Sequence, residues 1–83
     1  MTIRIKYSEN KKKIMAIVKD QELELAELVI AIMFGKEEQT IEVLGNSVPD
    51  VIVETNTDEK LEKEANKFRE LLDKFYEDYY KKH

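Results

Sequence analysis

Few residues of this chain are of types that make or break bonds. The single histidine, His83, is the last of 83 residues, and the only serines, Ser8 and Ser47, have no second histidine to serve as base. A hydroxyl becomes a nucleophile only with a base in hydrogen-bond reach, so the pattern points away from acyl transfer. With no cysteine there is neither a thiolate nor a disulfide framework, and with glycine only at Gly35 and Gly45 there is no phosphate-cradling loop. Carboxylates are the exception. Asp and Glu number 18, enough for an acid–base pair on counting alone, yet no spacing singles one out. The chain is therefore expected to be non-enzymatic, with no cofactor and no metal.

Charge gives a more useful contrast. Net charge is −4, but residues 1–19 carry Arg4, Lys6, Lys11, Lys12, Lys13 and Lys19 against Glu9 alone, and the remainder is acidic. Phosphate affinity comes from Lys and Arg, so Arg4, Lys6, Lys11, Lys12 and Lys13 form the candidate nucleic-acid contact set. Only Tyr7 lies near them to stack on a base. A charged hairpin tip that discourages edge-to-edge pairing explains the same lysines. On the acidic side, Glu37, Glu38 and Glu42 have one close cation, Lys36. A chain with this balance suits a basic protein surface better than nucleic acid. Further on, Glu59, Glu70, Glu77 and Asp78 each precede a lysine by four residues, the order that stabilises an exposed helix face.

The elements that must place these residues show two periods. Ile3, Ile5 and Tyr7 alternate with polar residues as in a strand with one wet face, and "TIEVL" repeats the alternation with Ile41 and Val43. "KIMAIVK" and "VIVE" are apolar without a break, as expected of central strands. Asp20 and Asp58 stand where helices are expected to begin. The first helix is predicted from about Gln21 to Phe34, closed by Gly35 in a left-handed conformation. The second is predicted from Glu59 to Lys82, with Leu61, Ala65, Phe68, Leu72, Phe75 and Tyr79 as one apolar stripe. Sliding the sequence by 38 residues lays "TIRIKYSENKKKIMAIVKDQELE" on "TIEVLGNSVPDVIVETNTDEKLE" with six identities, which suggests two ββα units, 1–38 and 39–83, within one domain. The expected fold is α+β: a four-stranded antiparallel sheet in ββαββα order, strands 1 and 3 at its edges, both helices on one face, a permuted ferredoxin-like pattern. "MTIRIKYS" lacks the apolar core of a signal peptide and no run approaches the ~18 residues of a membrane span, so a cytoplasmic setting is expected.

Leu28 to Phe34 is an unbroken apolar run inside the first predicted helix. A small domain has a modest core, so the second helix is expected to cover part of this run and a partner the rest. If the partner is a second copy, the candidate dimer surface is Ile14, Ala16, Val18, Ile32, Phe34, Leu44 and Ile52. A helix of about 24 residues is roughly 36 Å long and overhangs strands of ~20 Å. That leaves its last turns bare, and aromatics with a polar tip favour interfaces. Tyr76, Glu77 and Tyr80, with Glu37, Glu38 and Glu42, are thus the candidate partner interface. The expected function is protein binding: a small acidic inhibitor or modulator seated on a basic, nucleic-acid-binding surface of its partner. In size and charge alone the chain is similar to small acidic phage and mobile-element proteins that inhibit nucleic-acid enzymes or defence systems such as CRISPR by mimicking DNA charge. The alternative is a nucleic-acid-binding module built on the basic N-terminal hairpin.

Overall fold

A computed structural model describes residues 1–54 and 59–82. Its elements run β1 (Thr2–Ser8), β2 (Lys13–Val18), β3 (Gln21–Glu24), α1 (Leu25–Phe34), α2 (Glu37–Leu44), β4 (Asp50–Val53) and α3 (Glu59–Lys82). The strands form one sheet in the order β3-β2-β1-β4. β1, β2 and β3 are an antiparallel meander, and β4 joins β1 in parallel, with Ile3 opposite Val51 and Ile5 opposite Val53. The α+β class and four strands are as expected; the all-antiparallel sheet and the ββαββα order are not.

Two segments account for the difference. Lys19 and Asp20 both take positive φ, 50° and 64°, so the chain reverses in two residues and Gln21–Glu24 returns along β2. Asp20 is therefore a turn residue and not a helix cap, and α1 begins only at Leu25. The partner cap, Asp58, lies outside the described residues. The second segment is "TIEVL", which is helical. Thr40 and Leu44 are buried one turn apart, Ile41 packs beside them, and Glu37 and Glu38 occupy the first turn where the helix dipole favours acids. The expected second ββα unit is thus a helix, one strand and a helix, and the 38-residue alignment does not correspond to repeated structure. Strand placement also changes. β2 is inner as expected, but β1 is the other inner strand and β4 an edge.

One face of the sheet carries Ile3, Ile5, Ala16, Val18 and Val51, all buried against Leu25, Leu28 and Ile32 of α1, Leu44 of α2, and Leu61, Ala65, Phe68, Leu72 and Tyr76 of α3. α1 packs over β2 and β3, and α3 over β1 and β4. The α3 stripe follows expectation as far as Leu72 and then turns onto Tyr76, leaving Phe75 and Tyr79 half-buried. Gly35 ends α1 in an extended conformation, φ −82°, and not the left-handed one. Its use is steric, since a Cβ there would run into the Ala31 carbonyl oxygen. Gly45, at the end of α2, is the glycine with positive φ, 94°.

Among the described residues, the other sheet face is covered only by long side chains. Met15 points to it yet is 3% exposed, because the Lys6–Glu22 ion pair, 3.3 Å, crosses diagonally over β2 beside it. Charged side chains are here laying their methylene stems on an apolar one. At the β4 edge the Arg69 guanidinium donates from Nε at 3.1 Å and from its NH2 nitrogen at 2.6 Å to the Val51 carbonyl. An outward backbone acceptor of an edge strand is thereby capped by the helix above it.

Candidate functional site

The hydroxyls of the sequence have structural settings. Ser8 Oγ accepts the backbone N–H of Lys11 at 3.3 Å within the β1–β2 turn, and Ser47 is exposed in the turn before β4. Among the described residues no group of three or more His, Asp or Glu side chains is placed to hold a metal ion. No described helix is long and apolar enough to cross a membrane.

The pronounced concavity is a groove of about 950 Å³ between α1, α3 and the β1–β2 hairpin. Its origin is the division of labour in the fold. Each long helix covers its own half of the sheet, and at the hairpin end they leave Tyr7 and Ile14, cross-strand neighbours, as the floor. The α3 wall is Leu61, Phe68 and Leu71; the α1 wall is Val29, Ile30 and Met33. Lys12 and Lys13 stand on the hairpin bank and Lys60 and Lys67 on the α3 bank, with Glu24 and Glu64 between them in the rim.

The α1 wall is the anomaly. Leu25, Leu28 and Ile32 turn into the core, which uses about a third of the helix surface. Opposite them Ile30 is 57% exposed, Met33 56% and Phe34 78%. The small neighbours Ala26 and Ala31 are exposed as well, so the outward face holds a single charge, Glu27. α3 covers one flank of the apolar run and leaves this face open.

The residues singled out in the sequence fall into three groups. Of the candidate dimer surface, Ala16, Val18, Ile32 and Leu44 are buried in the chain's own core and Ile14 is half-buried at the groove floor; Phe34 and Ile52 are exposed. The open sheet face that was to carry them is instead the face of Arg4, Lys6, Met15, Ile17 and Ile52.

Of the candidate partner interface, Tyr76 is buried and its hydroxyl donates to the Gly45 carbonyl at 2.8 Å. Burial, and next the neighbouring Tyr80, push its pKa above the ordinary 10.0. The expected bare overhang of α3 does not exist, because α2 lies along its last turns: Gly45 meets Tyr76 at one end and Glu37 meets Lys82, 3.4 Å, at the other. Tyr80 is exposed, Glu77 pairs with Lys81 at 3.3 Å, and Glu38 and Glu42 are exposed on α2.

Of the nucleic-acid set, Lys6 and Lys11 lie 3.3 and 3.9 Å from Glu22, and Lys13 lies 3.5 Å from Glu24. Both acids belong to β3, which the sequence reading placed in a helix away from these lysines.

The groove residues Tyr7, Phe68 and Lys67 were not foreseen as a site. Their signal was the seven-residue apolar run itself, since a helix apolar all round cannot be covered by one neighbour. No family model, no curated protein and no solved structure matches the chain.

Proposed function

We propose that this chain is a non-enzymatic protein-binding module whose docking surface is the groove and the outward face of α1. The observation that carries the reading is the exposure of Ile30, Met33 and Phe34 beside an apolar groove. Small chains seldom leave contiguous large apolar side chains in water unless a partner covers them. The finer form, an acidic inhibitor or modulator seated on a basic, nucleic-acid-binding surface, is supported by the net charge of −4 and by the exposure of Glu38, Glu42 and Tyr80. The nucleic-acid module is the less favoured reading, because β3 carboxylates sit against Lys6, Lys11 and Lys13.

Two paired variants test the proposal in capture of partners from the native host. Ile30→Glu with Met33→Glu is expected to abolish capture while the variant keeps its thermal stability. Glu38→Lys with Glu42→Lys is expected to weaken it if the exposed acids of α2 contribute. Capture unchanged by either pair overturns the reading.

A further inference from the structure

The rim of the groove has the opposite sign to the molecule that carries it. Four lysines, Lys12, Lys13, Lys60 and Lys67, face two carboxylates, Glu24 and Glu64, which leaves the described residues of the rim at +2 in a chain of net charge −4. The two acids already lie beside rim lysines, Lys13–Glu24 at 3.5 Å and Lys67–Glu64 at 3.8 Å. Lysines stand on both banks, and between the banks the lining is apolar. We propose that this groove binds an amphipathic helix of a partner protein, with its apolar face in the groove and acidic flanks against the lysines. The inference rests on the protein-binding reading above and names the occupant.

The lining favours that occupant: the floor and walls of the groove are apolar side chains, with charges only at the described rim. A helix satisfies its own backbone and needs only side-chain contacts. A second copy of this chain supplies too few acids: its exposed apolar helix, α1, carries Glu27 alone, whereas the acidic α3 buries its apolar stripe at home. An incoming helix with acids on both flanks meets cations on both banks, a complementarity that sets orientation and rejects basic partners.

The probe is a fluorescently labelled model helix of about 18 residues, long enough to be helical when bound, with leucines at i, i+3, i+4 and i+7 and glutamates on both flanks. The same peptide with lysines on the flanks is its control. The acidic peptide is expected to bind at least about tenfold more tightly, with a preference that shrinks as salt rises. Lys12→Glu with Lys67→Glu, both exposed positions, is expected to remove that preference without changing the melting temperature. Amide shift changes are expected at Tyr7, Ile30, Met33 and Phe68. Equal binding of the two peptides, shifts mapped elsewhere, or no binding of the acidic peptide up to about 1 mM overturns the proposal. Two further arms separate its failure from that of the reading beneath it. A dimer in sedimentation that Ile30→Glu dissociates makes a second copy the occupant and keeps protein docking. Dodecanoate shifting the groove resonances when neither peptide does removes protein docking from the groove altogether.

Discussion

Gly45 joins two elements through one residue. Its φ of 94° and ψ of −179° lie where only glycine is unstrained, its N–H closes α2 on the Ile41 carbonyl at 2.7 Å, and its own carbonyl receives the Tyr76 hydroxyl. Gly45→Ala is expected to lower stability by about 1–3 kcal/mol in chemical denaturation, although a Cβ there meets nothing within 4 Å. The strain is in the backbone alone. Tyr76→Phe leaves the carbonyl without its donor, at a cost of about 0.5–1.5 kcal/mol. Because the folded protein holds the Tyr76 proton more tightly than the unfolded chain does, the contribution of this group to stability is constant below pH 10.0 and is lost as pH rises above it. Tyr76→Phe is expected to remove that part of the alkaline decline, read from melting temperatures across the range. Which tyrosine turned inward was not legible in the spacing. From Leu72 both Phe75 and Tyr76 continue a helical stripe, and the choice is made by a carbonyl 31 residues away in sequence.

Among the elements, those read correctly have periods that admit one interpretation. Ile3 and Ile5 alternate in β1, and α3 repeats its apolar positions over about five turns. The misread elements are short. In "QELELAEL" the leucines at 23, 25 and 28 fit a strand followed by a helix as well as a helix throughout, and the reversal at Lys19 and Asp20 decides. In "EEQTIEVL" the β-branched residues suggested a strand, but burial of Thr40 and Leu44 one turn apart decides for a helix. The β4 edge carries its own prediction. Arg69→Ala uncaps the Val51 carbonyl and is expected to cost about 1.5–3 kcal/mol, the range for hydrogen bonds from charged donors. Its aggregation on heating should also rise, since an outward acceptor of an edge strand is uncovered. Arg69→Lys, with one point charge in place of a planar fork, should recover only part of the loss. Stability unchanged in Arg69→Ala would show that the cap contributes nothing.

For the molecule as a whole, the candidate site was half visible in the sequence. The unbroken run from Leu28 to Phe34 announced a face that a chain of this size could not cover. Its lysine rim was hidden because Lys12 and Lys13 come together with Lys60 and Lys67 only in the fold. The same holds for β3, whose acids meet the hairpin lysines only when Gln21–Glu24 is a strand. The sheet order has a kinetic consequence. β1, β2 and β3 close through short turns, but β1 and β4 must bring Ile3 to Val51, a contact whose loop entropy is lost before it is rewarded. The rate-limiting ensemble is therefore expected to contain the meander and to lack β4. In stopped-flow chevrons Val18→Ala should mainly slow folding, and Val51→Ala should mainly speed unfolding. The reverse pattern would place β4 docking before the barrier. Until β4 arrives, β1 is itself an unguarded edge, so the speed with which residues 50–53 dock also sets how long a newly collapsing chain is open to pairing with its neighbours.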